Sequence, residues 1–194
     1  MSILKQFYVL IILIMINVTI GAQSYTEGDL SIWITGGSTL HDWKVVAEEV
    51  SDFPTSLELD AEDLLDIDDF SFTVDVKSMD GGRGPAMNNK IYKALLADTH
   101  PEIIFNQEKA VQFKMSESDA GNKGVIDGSV IIAGKKRNIA IQAKGENSNG
   151  QLKFTGEMPL KLSDFDIEPP SAMFGQIQTK DDIVVHFELV YQKS

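Results

Sequence analysis

The chain contains no cysteine and only three histidines in its 194 residues. Without thiols there is no disulfide, no thiol nucleophile, no zinc ribbon, no iron–sulfur ligation and no lipid-modified N-terminal cysteine. Basic residues are also scarce: 17 Lys and Arg stand against 29 Asp and Glu, for a formal net charge of −12. That balance argues against a nucleic-acid partner, because phosphate binding needs a basic surface. The sequence has no internal repeat, no low-complexity tract and no convincing linker. What remains is 43% hydrophobic and 24% charged, a globular balance, and the length suits one domain.

One long apolar run opens the chain. Phe7–Ile16 is uninterrupted, Val18–Ile20 nearly continues it, and the small residues Gly21 and Ala22 precede a polar stretch. With Lys5 ahead of the run, this is the layout of a secretory signal peptide. The run is shorter than the roughly 20 residues that cross a bilayer. The expectation is cleavage after Ala22, with residues 1–22 as leader and 23–194 as an exported domain, periplasmic or secreted, with no stable membrane span. Loss of Lys5 would make that domain one unit more negative.

Beyond the leader, apolar residues recur with a period of two. Leu30, Ile32 and Ile34 form one such series, and Phe70, Phe72, Val74 and Val76 another. Leu152, Phe154, Met158, Leu160 and Leu162 form a third, and Ile183, Val185, Phe187, Leu189 and Tyr191 a fourth. This period sends one set of side chains to each face of a sheet, as in antiparallel sheets with one wet side. Further strands are expected at Leu40–Val46, Thr55–Leu59, Glu102–Phe105, Val111–Met115, Ile126–Ala133 and Ile139–Lys144. Asp119–Gly124, Gly134-Lys135-Lys136 and Asn147–Gly150 read as hairpin turns. A meander of this length can close into a barrel and so remove its own exposed edges. Pro85–Ala97 alone has helical spacing, with Met87, Ile91 and Leu95 at i, i+4 and i+8, Pro85 in the first turn and Pro101 beyond the end.

Signals for chemistry are weak. His41, His100 and His186 form no metal-ligating spacing. Gly36-Gly37-Ser38-Thr39 fails the G-x-S-x-G elbow pattern of a serine hydrolase. The run Asp60–Asp69 lacks the glycine and the spacing of an EF-hand loop and reads as a solvated acidic loop. Gly81-Gly82-Arg83-Gly84, just before the helix, is a turn of the kind that can cradle a phosphate. No P-loop lysine follows it, which leaves either a lipid phosphate headgroup beside Arg83 or a plain flexible connection. Ten Phe, seven Met and two Trp could fill a packed barrel core, or line a barrel that encloses one small ligand.

Four blocks, taken in order, resemble the YceI-like family of exported lipocalin-like proteins. They are Ser38-Thr39-Leu40-His41-Asp42-Trp43; Met87–Leu95 running on to Pro101-Glu102-Ile103-Ile104-Phe105; Gly128–Lys136; and Leu162-Ser163-Asp164-Phe165-Asp166-Ile167 with Pro169-Pro170. The resemblance covers nearly all of the chain after the leader. It implies an all-β fold, an eight-stranded antiparallel barrel with one short helical insertion, and an elongated apolar cavity for polyisoprenoid or other amphiphilic chains. It implies no catalytic residues, cofactor or metal. Many family members carry an Arg-Asp pair at the start of the helical segment, where this chain has Asn88-Asn89.

On this resemblance the expected function is non-enzymatic binding, as a carrier or sequestering protein for an amphipathic lipid, whether polyisoprenoid, prenyl quinone or fatty acid. The ligand contacts expected are Leu40, Trp43, Phe70, Phe72, Met87, Tyr92, Leu95, Leu96, Phe105, Phe165 and Phe174, with His41 and Arg83 near the headgroup. A homodimer is compatible with the sequence. The alternative is a structural or interaction module with a packed core, whose acidic loop would meet a cationic partner. A His41-dependent metal or haem enzyme is a third class.

Overall fold

A computed structural model describes residues 22–115, 122–172 and 176–194. Residues 1–21 of the expected leader, the first half of the Asp119–Gly124 turn and Phe174 lie outside the described residues, while Asn122, Lys123 and Gly124 already belong to the strand Asn122–Ile132.

The chain opens with β1 (Gln23–Ser38), β2 (Asp42–Ala47), β3 (Val50–Ser51), β4 (Leu57–Leu59), β5 (Leu64–Ile67) and β6 (Ser71–Asp75). A 3-10 turn at Val76–Ser78 leads to β7 (Met79–Asp80) and then to the single α-helix, α1 (Pro85–Ala94). There follow β8 (Glu102–Gln107), β9 (Val111–Lys114), β10 (Asn122–Ile132), β11 (Lys135–Ser148) and β12 (Gln151–Lys161). A second 3-10 turn at Leu162–Phe165 precedes β13 (Ser171–Ala172) and β14 (Ile177–Lys193).

The strands form one curled antiparallel sheet in the order β3-β6-β8-β10-β11-β12-β14-β1-β2-β7, with β13 and β4 added at β14 and β1. The path passes through ten strands rather than the eight expected. The difference arises because Asp42–Ser51 breaks at Glu48-Glu49, and because the short β7 adds a further edge. The same break brings the two ends of the path to one stretch of chain, since β2 pairs with β1 while β3, two residues on, pairs with β6.

Two turns set the register of the long meander. Ala133 and Gly134 both have positive φ (48° and 76°), as do Asn149 and Gly150 (52° and 77°). Two consecutive left-handed residues make the tight turn whose twist matches the flanking strands. The first turn therefore lies one residue earlier than the sequence suggests, and Lys135 and Lys136 already belong to β11.

The acidic run is a correction of another kind. Asp60–Asp69 is not a bare solvated loop: Leu64–Ile67 pairs with β9 as a small second sheet, Leu65 opposite Phe113, and both side chains are buried. Three apolar residues inside the run supply a face worth burying. The Asp60 carboxylate accepts the backbone N–H of Glu62 and of Leu64, each at 2.8 Å, and so forms the turn that leads into the strand.

The inward series of β1, β6, β12 and β14 make the main core, with Tyr25, Leu59, Phe105, Leu152 and Tyr191 almost wholly buried. A smaller cluster of Val130, Ile132, Ala133, Phe165 and Ile167 lies beside it.

Candidate functional site

The period-two series do not fill the interior completely. Between the curled sheet and α1 lies a cavity of about 340 Å³, within the roughly 300–1,000 Å³ range of small-molecule sites. Its walls are built by parity. Ile32 and Ile34 come from β1, Trp43 and Val45 from β2, and Ile183 and Val185 from β14. Phe72 and Val74 of β6 and Met158 of β12 add to them. The helix covers the cavity with the stripe that its spacing predicts: Met87, Ile91 and Leu95 all line it.

Local packing places these elements. Gly36 stands opposite Trp43 in the β1–β2 ladder, and the indole lies over it: a Cβ there would fall 2.3 Å from a Trp43 ring carbon. Trp43 Nε1 also donates to the Gly37 carbonyl at 3.1 Å. At the helix entrance, a Cβ on Gly81 would lie 2.9 Å from Met87 Cγ, and the Gly81 N–H donates to Asn88 Oδ1 at 3.0 Å. Asn88 thus ties the glycine-rich turn to α1.

Phe165 reaches the cavity from the 3-10 turn at Leu162–Phe165. That turn is anchored by Asp181, whose carboxylate accepts the Ser163 N–H at 2.8 Å and the Ser163 hydroxyl at 2.6 Å. Those hydrogen bonds hold the Asp181 carboxyl below its usual value of 3.8.

The polar side chains of the lining are Ser38, His41, Arg83, Lys90, Ser171 and Thr179. Arg83 and Lys90 are exposed, which puts them at the rim. Ser38 Oγ donates to the His41 carbonyl at 2.7 Å and accepts the His41 N–H at 3.1 Å, closing a tight loop. Among the described residues the walls contain no Asp or Glu.

Of the expected ligand contacts, Trp43, Phe72, Met87, Leu95 and Phe165 line the cavity, as do His41 and Arg83. Phe70 and Phe105 do not: they are buried beside Phe72 in an aromatic group, with the Phe72 and Phe105 centroids 5.2 Å apart. Tyr92 also lies off the cavity wall, packed against the main core, because it is one residue, about 100°, round the helix from Ile91. Leu40 and Leu96 are not on the cavity wall and stand 68% and 50% exposed. The Ser38 loop turns Leu40 outward, and a positive φ of 55° at Leu96, just past the helix, swings that residue away. Ile32, Ile34, Val45, Ile91, Ile183 and Lys90 were not expected. Ile91 was legible from its place between Met87 and Leu95, and Lys90 stands three residues beyond Met87 on the same helix; the four strand residues required knowing which strand parity faces inward.

The three histidines lie apart. His186 is on the other face of the sheet, stacked on Trp33 at 5.3 Å between centroids and within hydrogen-bond reach of Thr35 Oγ1 at 2.8 Å. The His100 ring lies over Gly134, where a Cβ would fall within 2.5 Å of it. Among the described residues no group of three or more His, Cys, Asp or Glu is placed to hold a metal ion.

The YceI-like domain profile matches residues 31–191. The chain belongs to the YceI-like family. The matched span runs from the first cavity-lining strand to the last, so the whole site falls within the YceI-like domain. No curated protein matches the chain by sequence.

Several solved structures share the YceI-like fold at low identity. BcnA of Burkholderia cenocepacia is 17% identical with a TM-score of 0.61, over 83% of this chain and 95% of its own. A polyisoprenoid binding domain from Saccharophagus degradans is 12% identical with a TM-score of 0.55, over 90% of this chain and 100% of its own. The Campylobacter jejuni YCEI protein is 19% identical with a TM-score of 0.53, over 77% and 84%.

Proposed function

We propose that this YceI-like protein binds the hydrocarbon part of an amphipathic lipid-like molecule in its apolar cavity and catalyses no reaction. The observation that carries this reading is the cavity of about 340 Å³, lined mostly by aliphatic and aromatic side chains with only a few polar ones among them. The curled antiparallel sheet, with α1 across it, leaves room for one small ligand. A neighbour in fold is described as a polyisoprenoid binding domain, which supports the same ligand class here.

The energetics suit a chain molecule. Apolar surface removed from water contributes about 25 cal/mol per Å², so a tail burying about 300 Å² gains about 7 kcal/mol before ordering costs. Trp43, Phe72, Met87, Leu95 and Phe165 contact the tail, while His41 and Arg83 sit beside the headgroup. No covalent step is required. With the leader removed, the protein acts outside the cytoplasm as a carrier or sequestering domain, for a polyisoprenoid, a prenyl quinone or a fatty acid.

The test is native mass spectrometry with lipid extraction, on protein purified from its own host. The expected result is a co-purifying amphiphile of one or a few defined masses. Repeated recovery of bare protein, together with no affinity for prenyl quinones or fatty acids, would overturn the proposal and favour a module that only presents its loops.

A further inference from the structure

We infer that the headgroup accepted at the rim is an anion, a carboxylate or a phosphate carried on a single hydrocarbon chain. This rests on the lipid-binding reading and sharpens it to a chemical class of ligand.

The argument begins with charge. Acids outnumber bases 29 to 17 in this chain, so a rim of average composition would carry carboxylates. The described cavity walls instead hold Arg83 and Lys90 and no acid. Seven lysines elsewhere each have a carboxylate partner within 4 Å. Among the described residues no ion pair involves Arg83 or Lys90. These two cations stand unneutralised at the mouth of an apolar cavity in an acidic protein.

The helix adds to the same field. Gly84 caps α1 without a side-chain hydrogen bond, and the first turn contains no acidic residue. Arg83 before that start and Met87 just after it both line the cavity, so the positive end of the helix lies at the rim. A guanidinium offers paired N–H donors that match the two oxygens of a carboxylate or phosphate, and an ammonium adds a point charge. An alcohol or quinone head would leave both cations to water. An anion would meet them in charge-assisted hydrogen bonds while its tail fills the apolar interior.

The experiment compares anions with their own alcohols by titration calorimetry at low salt: dodecanoate against dodecanol, and farnesyl phosphate against farnesol. At least one anion is expected to bind about tenfold or more tighter than its alcohol, and whichever pair shows the larger ratio separates carboxylate from phosphate. In Arg83→Gln/Lys90→Gln the ratio should fall toward one. Lys93→Gln, on the exposed side of the helix, should retain it. Inorganic phosphate alone should show no measurable binding. Equal affinity for anion and alcohol in the unmodified protein would overturn the inference while leaving lipid binding intact. So would an equal loss of preference in Lys93→Gln, which would assign it to diffuse charge, or phosphate binding as tightly as farnesyl phosphate. Failure of all four amphiphiles to bind would remove the lipid-binding reading itself.

Discussion

The indole of Trp43 occupies the space that a side chain at Gly36 would fill. The two residues are partners across the β1–β2 ladder, and the ring that covers the glycine is also a wall of the cavity. A glycine weakens a strand unless a neighbour covers its bare backbone, so one contact here serves both the sheet and the site.

Replacing Gly36 with Val tests that relationship. The added Cβ would lie 2.3 Å from the ring, so the indole must leave its present position. Overpacking of this kind costs about 1–3 kcal/mol. The expected outcome is a lower urea midpoint together with red-shifted tryptophan emission. Unchanged emission would show that the ring does not need the glycine.

Leu95 and Leu40 make a matched pair. Leu95 lines the cavity from the helix, whereas Leu40 is 68% exposed on the Ser38 loop. Leu95→Trp should fill part of the cavity and weaken binding of a long-chain amphiphile about tenfold, or about 1.4 kcal/mol, with the far-ultraviolet dichroism of the sheet retained. Leu40→Ser should leave affinity as it was. The reverse ranking would move the binding site from the cavity to the outer loop.

Acid should loosen the turn that carries Phe165. The hydrogen bonds from Ser163 hold the Asp181 carboxyl below 3.8. Because the folded value lies below the unfolded one, this stabilisation is complete above pH about 4 and is lost as pH falls through the folded value. Asp181→Asn should therefore be less stable than the unmodified protein at pH 7, and the gap in urea midpoint should narrow at pH 3. A gap independent of pH would show that the carboxylate charge is not what anchors the turn.

Alkali should act through Tyr191. Its hydroxyl donates to the Pro54 carbonyl at 2.5 Å, and burial pushes the phenol above its ordinary value of 10.0. The unfolded chain then ionises first, so stability is complete below pH 10 and declines as pH rises from there toward the folded value. Tyr191→Phe should cost about 1 kcal/mol at pH 7 through the lost hydrogen bond. That deficit should shrink above pH 10, because phenylalanine does not ionise. Equilibrium unfolding at pH 7 and pH 11 checks both parts.

Much of the architecture was legible because it depends on local pattern. The series through Ile32, Phe72, Phe154 and Phe187 alternate as strands do, and the structure buries all four. The Asn149-Gly150 turn followed from the positive φ that these residues tolerate. The helical stripe of Met87 and Leu95 faces the cavity as its spacing requires. Composition misled where a short apolar segment was set among acids: Leu65 lies within an aspartate-rich run, yet it pairs with β9 and packs inside.

The amino-acid sequence alone thus determined a strand-rich domain with one amphipathic helix, an acidic surface and no thiol chemistry. Each of these is a property of residue type or of spacing along the chain. Only the tertiary structure decided which side chains share the cavity. A period of two defines two faces equally well, and nothing local says which one the closing sheet turns inward. For the same reason aromatic content alone could not separate Phe72, on the wall, from Phe105, buried behind it. Nor could sequence bring Arg83 and Lys90 to one rim free of carboxylates, since that depends on where the remote acids of the folded chain come to lie.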